Sequence, residues 1–462
     1  MNAIRRYRWQ ELGLLIIPCM ILLLEMTQLL LARLVRSGVV PTSSLSVKNL
    51  PTIQGLIPVL GIIGVLLAIN VLLSFFSPRT DQVLLPLVGL LSGIGVLMAL
   101  RIGPNLTPAD PTLGTRQLVW VMLGFLVFLI TLCGLRSMNW LRRYKYTWAL
   151  LGILLVGFTL INALRVKNLD SPTHDQLNFG PFNLQPSELL KIFLVIFFAA
   201  YLSENLDVLN AGNLRIGPLR LPPLRQLGPL ALMLGLALLL FLGVRELGLA
   251  LLIYGIFLCM IYLGTGKIAY VLGSLLIFLV LGFIGYSLFN YVRLRFTAAG
   301  INVVDWSAVS ENIYQNQGGF QIVQGLIALA SGGIIGSGLG LGHPTFVPVV
   351  QSDMIFTAMG EEWGLAGLFA IIGIYLLIIY RGYRIAIETT DPFSQLLAAG
   401  LTSIFAVQSL IIAAGNMKII PLTGLPLPFL SYGGSSIIAN YIIIGILLRI
   451  SHNTAKEREG LA

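Results

Sequence analysis

The sequence predicts an all-α integral membrane protein: a polytopic bundle of about 12 transmembrane helices with a large extracytoplasmic loop. Apolar residues make up 56% of the 462 residues and charged residues only 10%, and the mean hydropathy is +0.89. Soluble domains carry far more charge. Apolar runs of about 20 residues, the length of a helix that crosses a ~30 Å hydrocarbon core, recur along the chain. Because these runs are continuously apolar, they exclude a transmembrane β-barrel, whose strands alternate apolar and polar residues.

The predicted spans cover most of the chain. The first one follows a basic front like that of a signal peptide, but its apolar run continues to about Val35 without a cleavage pattern. We therefore interpret it as a retained signal anchor. The spans are roughly 11–34, 52–76, 82–101, 117–135, 146–163, 187–203, 228–244, 247–264, 268–290, 352–380, 394–415 and 430–450.

The basic residues predict the orientation of these spans. The formal net charge is +10, but the basic residues lie in short loops between apolar runs and form no separate polar face, so we expect no nucleic-acid partner. With the N-terminus in the cytoplasm, more than half of the 29 Lys and Arg residues fall in cytoplasmic segments. The positive-inside rule thus favours both termini in the cytoplasm and places the long segment 291–351 outside.

The extracytoplasmic loop 291–351 is too apolar for a disordered segment, so we expect it to lie on the membrane or dip into it. Its glycines at 336–342 faintly resemble a nucleotide-binding loop. No strand precedes them and no Lys-Ser/Thr follows, so tight turning is the simpler interpretation. The cysteines lie inside apolar runs, where we expect neither a disulfide nor a metal site: Cys19, Cys133 and Cys259.

Carboxylates inside membrane spans are costly, so each one is a candidate for function. The stretch "GVRELGLALL" places Arg245 and Glu246 at the outer junction of two predicted helices. A carboxylate beside a guanidinium, in the first turn of a helix, would stay ionised and could accept a proton. The alternative is a helix-capping acid paired with its neighbour.

Two further stretches carry charge near the outer ends of spans. In "NLQPSELLKIFL", Ser187 is a possible N-cap, and Lys191 shares a helix face with Glu188. That lysine is either the partner in an ordinary i,i+3 pair or a phosphate ligand. In "FVPVVQSDMIFTAMGEEWGLAG", the spacing of Asp353 and Glu361 predicts that one helix face carries both; the alternative is a polar helix start that packs against the outer loop.

The segment "PLTGLPLPFLSYGGSS", residues 421–436, breaks the helical pattern at membrane depth because it combines three prolines with glycines. Non-helical backbone at that depth is tolerated only where it is buried in protein or lines a cavity. We expect Ser431, Tyr432, Ser435, Ser436 and exposed backbone amides to bind a polar headgroup, with Lys418 nearby for an anion. The competing interpretation is that this segment simply ends one span before the next begins.

These motifs resemble those of the shape, elongation, division and sporulation family, which includes FtsW, RodA and SpoVE. The signature is "PLTGLPLPFLSYGGSS", and "LQPSELLK", "GFQIVQGLIALASGGIIGSGLG" and "QSDMIFTAMGEEWGLAG" are similar to three other family motifs, in family order. The resemblance covers about 82–450. It implies three regions: an N-terminal extension 1–81 with two extra helices, a ten-helix polymerase core 82–450 that includes the loop 291–351, and a cytoplasmic tail 451–462.

The resemblance implies a peptidoglycan glycosyltransferase that polymerises lipid II into glycan strands at the outer face of the bacterial plasma membrane, during elongation or division. The expected partners are a class B penicillin-binding protein, lipid II and the undecaprenyl-diphosphate-linked glycan. Glu246 is the expected catalytic base. The expected substrate-binding residues are Gln185, Ser187, Glu188, Lys191, Arg245, Gln351, Asp353, Glu361, Lys418, Ser431, Tyr432, Gly433, Gly434 and Ser435.

Two departures from the family pattern stand out. Glu246 replaces the aspartate thought to be catalytic in family members, so its carboxylate reaches about one methylene further. The loop after Leu164 lacks a tryptophan of the usual Gly-x-Arg/Lys-x-Trp element, where Arg165 and Lys167 could supply the basic groups.

In the expected mechanism, Glu246 takes the proton from the acceptor hydroxyl while Lys191, Lys418 or a loop cation such as Arg293 holds diphosphate. The sequence contains no metal cage, and we expect at most a divalent cation, Mg²⁺ or Mn²⁺, that binds together with the diphosphate. Two alternatives stay open: a flippase for lipid-linked precursors, whose acidic residues and broken helices would line a transport path, and a non-catalytic scaffold for a transpeptidase.

Overall fold

The structure is a computed structural model that describes residues 8–36, 53–135, 137–165, 177–179, 182–211, 214–216, 219–221, 224–302 and 319–460. Within these ranges, 11 helices are long and apolar enough to cross a membrane. A further, shorter apolar helix, Gly228–Gly243, coincides with the predicted span 228–244. The prediction of an all-α, multi-pass membrane protein is therefore confirmed.

The helices are α1 Trp9–Arg36, α2 Ile53–Phe76, α3 Leu84–Ile102, α4 Leu113–Gly134, α5 Asn139–Arg143, α6 Lys145–Arg165, α7 Ser187–Ala211, α8 Leu224–Gly243, α9 Leu247–Thr265, α10 Ile268–Leu288, α11 Asn290–Ala299, α12 Gly319–Gly332, α13 Ile355–Glu388, α14 Pro392–Asn416 and α15 Gly434–Arg458. Two short antiparallel hairpins lie in loops: β1 Leu177–Phe179 with β2 Phe182–Leu184, and β3 Leu214–Ile216 with β4 Leu219–Leu221.

Helix α13 differs from the prediction in two ways. It is 34 residues long, and its backbone breaks the helical geometry at Gly364, where φ is 67° and ψ is −168°. It also begins at Ile355, so Asp353 lies in the turn before the helix. The prediction that one helix face carries both Asp353 and Glu361 is therefore wrong, because the helix starts two residues too late to include the aspartate.

The chain divides into two compact units. Unit 1 comprises Met1–Gly134, Phe320–Arg381 and Pro426–Ala462, and unit 2 comprises Leu135–Gly319 and Gly382–Leu425. In unit 1, α15 packs on α4, and α1, α2 and α3 pack on one another. In unit 2, α7, α9 and α14 pack together, with α6 against α7 and α8.

The first N-terminal helix is tied into unit 1 by a buried polar cluster at its start. Arg8 is 1% exposed and Glu11 is fully buried. The Arg8 Nε atom donates to the Glu11 carboxylate at 2.7 Å, and its Nη2 donates to the Asp81 carbonyl at 2.7 Å. Asn70 on α2 donates to the same carboxylate at 2.6 Å. Because buried charges require such pairing, this cluster fixes α1 and α2 against the start of α3.

Candidate functional site

The predicted site residues fall into two groups, one in each unit. The group of unit 2 contains Glu246, and the group of unit 1 contains the Ser431-Tyr432 turn.

Glu246 occupies the N-cap position of α9 and is 4% exposed. Its backbone N–H donates to the Phe241 carbonyl at 2.9 Å, and its carbonyl accepts from Ala250 at 3.2 Å. Its side chain makes no capping hydrogen bond to the first turn, so the interpretation of Glu246 as a helix-capping acid is not supported. A carboxylate beside the positive end of a helix dipole is stabilised in its charged form.

The backbone just before Glu246 is held in an unusual conformation. Arg245 has a φ of 62°, a backbone angle that residues other than glycine rarely adopt. Its guanidinium carbon lies 5.9 Å from the ring centroid of Tyr291, and the Tyr291 hydroxyl donates to the Leu242 carbonyl at 2.9 Å. Burial raises the pKa of Tyr291, against the opposing charges of Arg245 and Arg295. Such strain at a defined position often accompanies a functional site.

Gly248 brings α9 into contact with the first half of the signature segment. A Cβ atom at Gly248 would lie 2.4 Å from the Thr423 carbonyl oxygen and 3.0 Å from the Leu425 Cγ. Arg295 holds the same stretch, because its Nη1 donates to the carbonyls of Leu422 at 3.2 Å and Thr423 at 3.3 Å. Only glycine allows α9 to approach the Thr423 backbone so closely, which explains why a glycine stands two residues after Glu246.

Glu188 and Lys191 form a buried ion pair in unit 2. The Lys191 Nζ lies 2.7 Å from the Glu188 Oε2, with side-chain exposures of 0% and 1%. The Nζ also donates to the Gln408 Oε1 of α14 at 3.1 Å. The predicted i,i+3 pair is thus present. Its contacts occupy Lys191 N–H donors that a phosphate would need.

The other residues predicted around this pair have different environments. Helix α7 begins at Ser187, so the serine is inside the helix rather than at the predicted N-cap. Its hydroxyl is buried and has no hydrogen-bond partner among the described residues. Gln185 is half-buried, and its carbonyl accepts from the Glu188 N–H at 3.2 Å. Lys418 has a φ of 61° and donates from Nζ to the Ile301 carbonyl.

The Ser431-Tyr432 turn is buried, non-helical backbone within unit 1, as the proline and glycine pattern predicts. The Ser431 hydroxyl accepts from the Leu427 N–H at 2.7 Å and donates to the Ser352 carbonyl at 2.5 Å. The Tyr432 N–H donates to the Gln351 carbonyl at 2.8 Å. Ser431 therefore uses its hydroxyl inside the protein, where it joins the turn to the 351–352 segment.

The glycines and serine that follow start α15. Gly433 is extended, with φ at 169°, and a Cβ at Gly434 would lie 2.2 Å from the Trp120 ring. The glycine at 434 is thus required by the close approach of α4. Ser435 is half-buried.

Sequence reasoning missed two residues of this group, Arg116 and Gln117 on α4. The Gln117 Nε2 donates to the Ser431 carbonyl at 3.1 Å, and the Arg116 guanidinium carbon lies 6.0 Å from the Tyr432 ring centroid. The only available signal was a polar Arg-Gln pair at the start of an apolar run. Burial raises the pKa of Tyr432, which keeps its hydroxyl protonated.

The acidic residues of "QSDMIFTAMGEEWG" hold the outer glycine-rich loop together. Asp353 accepts from the Gln321 Nε2 at 3.2 Å. Glu361 accepts from the His343 N–H at 2.6 Å, and Glu362 accepts from the Gly340 N–H at 3.2 Å and from the Arg101 Nε at 2.9 Å. The polar contacts support the alternative that this stretch packs against the outer loop. Gly336, Gly338 and Gly340 have positive φ angles, as tight turns require.

The remaining predictions concern cofactors and the loop after α6. Among the described residues, no three His, Cys, Asp or Glu side chains converge as metal ligands, so the protein side chains of those ranges offer no cage for Mg²⁺ or Mn²⁺. The three cysteines are free. Lys167 and the side chain of Arg165 lie outside the described residues.

Comparison with known proteins identifies the family of this chain. The family model described as "Cell cycle protein", FTSW_RODA_SPOVE, matches residues 81–456. The chain is 38% identical over 392 residues to the peptidoglycan glycosyltransferase RodA of Mycobacterium tuberculosis H37Rv, which covers 82% of this chain and 80% of the relative. It is 36% identical over 387 residues to the Mycobacterium leprae protein of the same name, with 82% and 79% covered.

Solved structures share the fold. A chain of a peptidoglycan synthase complex, reported for the structural coordination of polymerization and crosslinking, matches with a TM-score of 0.62 at 22% identity and covers 81% of this chain and 98% of that one. The Thermus thermophilus rod shape determining protein RodA matches with a TM-score of 0.54 at 22% identity, with 81% and 97% covered. From the family model and the identity to its relatives, this chain is a member of the FtsW, RodA and SpoVE family.

Proposed function

We propose that this protein is a peptidoglycan glycosyltransferase that polymerises lipid II into glycan strands at the outer face of the plasma membrane. The observation that carries this proposal is the 38% identity, over 82% of the chain, to a protein named peptidoglycan glycosyltransferase RodA. The family signature is intact in the sequence. The expected orientation, with both termini in the cytoplasm, puts the Glu246 end of α9 on the outer side.

Glu246 is the general base in this proposal. It takes the proton from the acceptor sugar hydroxyl as that oxygen attacks the anomeric carbon of the donor, and undecaprenyl diphosphate departs with the electron pair of the broken C–O bond. The carboxylate is 4% exposed and lies at the start of α9, where the helix dipole favours its charged form before the proton arrives. General-base catalysis supplies typically about 10²- to 10⁴-fold in rate.

The surrounding groups of unit 2 hold this base in place. Gly248 lets α9 pack closely on Thr423, and Arg295 of α11 holds the Leu422-Thr423 backbone in place. Backbone contacts, rather than a flexible loop, therefore position the base. The Glu188-Lys191 pair is too well buried to meet a diphosphate directly. We therefore assign diphosphate binding to cations with freer donors, such as Arg293, whose Nη2 donates to the Ser287 carbonyl at 3.3 Å and whose guanidinium carbon lies 5.8 Å from the Tyr286 ring centroid.

We also propose a class B penicillin-binding protein as the partner. A chain with this fold occurs in a solved peptidoglycan synthase complex that is described as coordinating polymerization and crosslinking. The crosslinking partner of a glycan polymerase is a transpeptidase. We further propose that a divalent cation binds together with the diphosphate of the substrate.

One assay tests the proposal against its alternatives. The purified protein is reconstituted in vesicles with labelled lipid II, with and without the transpeptidase, and Glu246→Gln and Glu246→Asp are compared with the wild type. Glu388→Gln is the matched control, because it removes an exposed carboxylate that forms an ion pair with Arg384 on the helix surface. We expect Glu246→Gln to lower polymer formation about 10²- to 10⁴-fold, while Glu388→Gln polymerises normally.

Each result decides between the candidate functions. Polymer formation that persists in Glu246→Gln would refute Glu246 as the base. Transbilayer movement of lipid II without polymer would identify a flippase, and the absence of both would identify a scaffold. An increase in rate in Glu246→Asp would show that the longer side chain weakens catalysis in this chain.

A further inference from the structure

A patch of aromatic and basic side chains lies where α6 begins, within unit 2. Its members are Trp140, Arg142, Arg143, Tyr144 and Lys145, so five of the six residues from 140 to 145 are aromatic or basic. We call this set the α5 patch, because helix α5 carries three of them. The patch contains neither the candidate base nor any residue of the signature segment, so the proposed reaction does not explain it.

The α5 patch lies at a membrane surface, because two candidate spans end there. Helix α6 is a candidate span that begins at Lys145, and the span of α7 runs from Ser187 to Leu206. Glu204, near the end of that span, forms an ion pair with Lys145. The first residue of one span therefore meets one of the last residues of the next, which fixes the level at which both helices leave the hydrocarbon core. In the proposed orientation, this level faces the cytoplasm.

The patch carries more positive charge than the neighbouring carboxylate balances. Glu204 lies 3.5 Å from the Arg142 Nε and also pairs with Lys145, so one acidic group serves two cations. Among the described residues, no carboxylate forms an ion pair with Arg143, whose guanidinium carbon lies 5.7 Å from the Tyr144 ring centroid. Three cations and one carboxylate leave a formal charge of +2, so the patch attracts an anion.

The charged and aromatic groups are accessible from outside the protein. The Arg142 side chain is 41% exposed, Trp140 and Tyr144 are 51% and 42% exposed, and Arg143 is also exposed. Between them, Leu141 is only 4% exposed and ties α5 to the protein. One side of this short helix is therefore buried, while the other side presents guanidinium groups and aromatic rings at the membrane surface.

Aromatic rings lead from the patch toward the hydrocarbon core. The Trp140 ring centroid lies 6.4 Å from that of Tyr144 and 4.8 Å from that of Trp148. These three residues follow one another at intervals of four, which is about one helical turn. Large exposed apolar side chains continue along α6: Leu151, Leu154 and Phe158. Cations, aromatic rings and an apolar face thus follow one another in the order of the parts of a phospholipid.

The order of these groups selects an anionic phospholipid as the ligand. A guanidinium can donate two parallel N–H bonds to phosphate oxygens, and tryptophan and tyrosine rings favour the headgroup level of a bilayer. A free phosphate would use only the cations of the patch. An anionic membrane surface attracts nearby Lys and Arg residues, whereas a zwitterionic lipid has no net charge to offer.

We propose that the α5 patch is a binding site for the headgroup of an anionic phospholipid. Arg143 and Arg142 bind the phosphate, and Trp140 and Tyr144 pack against the glycerol and the first carbons of the acyl chains. Glu204 holds Arg142 in place beside the ligand. Binding at this site is independent of the candidate base and of polymerase activity, so a failure of the proposed function would leave it untouched.

The first test measures binding of a short-chain phosphatidylglycerol to the purified full chain in uncharged detergent, by native mass spectrometry. Arg143→Gln removes the charge that no carboxylate balances, and Arg143→Lys keeps it. Arg384→Gln is the matched control, because Arg384 is an exposed arginine of the same unit that pairs with Glu388. We expect Arg143→Gln to weaken binding about fivefold, the effect of one basic residue at an anionic surface. Arg143→Lys should bind more tightly than Arg143→Gln, and the control should bind like the wild type.

A second measurement locates the lipid at the patch. Phosphatidylglycerol with brominated acyl chains, added as a small fraction to phosphatidylcholine vesicles that contain the protein, quenches nearby tryptophans. The wild type should be quenched more by this lipid than by an equal fraction of brominated phosphatidylcholine. That excess should fall in Trp140→Phe, which removes the reporter, and in Arg143→Gln, which removes the cation. Trp9→Phe, which removes an exposed tryptophan of unit 1, should keep it. An excess unchanged in both patch variants would overturn the proposal, because the lipid would bind elsewhere.

Two competing ligands test the chemistry of the site. Phosphatidylcholine of the same chain length should bind more weakly than phosphatidylglycerol, because its choline cancels the phosphate charge; equal affinity would refute the role of net charge. Inorganic phosphate should not displace the lipid, and displacement would identify a site for a free anion instead.

The stability of the variants separates binding from folding. Because Arg143 is exposed, Arg143→Gln should unfold at the temperature of the wild type when no lipid is added. Wild-type affinity for phosphatidylglycerol in this variant would overturn the proposal. If Arg143→Gln is unstable without lipid, Trp140→Phe must bind phosphatidylglycerol more weakly than the wild type, and unchanged affinity there would refute the site as well.

Discussion

Replacing Gly248 with alanine should damage catalysis without damaging the fold. Gly248 lies two residues after the candidate base, and the Cβ of an alanine would sit 2.4 Å from the Thr423 carbonyl oxygen and 2.9 Å from the Thr423 Cβ. Ordinary contact begins near 3.4 Å, so α9 and the Thr423 backbone must separate by about 1 Å. Backbone cannot rotate out of the way as a side chain can.

The size of the effect follows from this displacement. Overpacking of this kind costs about 1–3 kcal/mol of stability, which a protein of this size can tolerate. Misplacement of a catalytic group by about 1 Å can cost about 100-fold in rate. We therefore expect Gly248→Ala to polymerise lipid II about 100-fold more slowly than the wild type while its thermal unfolding temperature in detergent falls by only a few degrees.

Gly255→Ala on the same helix is the matched control. Its Cβ would lie 2.7 Å from the Val407 Cγ1, with the next atom at 3.7 Å, so a rotation of one valine side chain relieves the contact. The control should keep near-normal activity. A Gly248→Ala enzyme as active as Gly255→Ala would refute the claim that the Thr423 contact positions Glu246.

Two further predictions concern charge. Lys191→Met should lower the free energy of unfolding by about 3–5 kcal/mol, because it leaves Glu188 buried and unpaired, and thermal unfolding in detergent measures this loss. Asp110 accepts from the Thr112 hydroxyl at 2.7 Å and pairs with Arg116; these contacts lower the pKa of Asp110 below its usual 3.8. Its contribution to stability is therefore fully present above pH ~4 and is lost as the pH falls through the lowered pKa. Thermal unfolding measured between pH 6 and pH 3 tests this loss.

Each of these charge predictions has a control. The double variant Glu188→Gln/Lys191→Met should recover most of the stability lost in Lys191→Met, since no charge stays unpaired; a double variant as unstable as the single one would contradict the argument. Asp110→Asn should be less stable than the wild type above pH 4 and approach it at lower pH. The gap should be modest because the Asp110 side chain is partly exposed. A constant difference from pH 6 to pH 3 would refute the role of its charge.

Helix positions followed from the sequence because each span is set by local composition. A run such as 268–290 must be helical in a membrane, since only a helix satisfies its own backbone there, and α10 occupies Ile268–Leu288. The non-helical signature segment was predictable for the same local reason, because proline and glycine cannot continue a helix. The start of α13 was not, because the turn at 348–354 is fixed by contacts with distant residues, such as the Tyr432 N–H on the Gln351 carbonyl.

What the sequence determined by itself was the class of the protein and its spans, because apolar length is a local property. The choice of Glu246 as the candidate base followed from the family resemblance. Only the tertiary structure decided which polar groups meet. Lys191 pairs with Glu188 and donates to Gln408, and Gln117 donates to a turn more than 300 residues away in the sequence. Such pairings depend on how helices pack across long separations, and no periodicity in the chain records them.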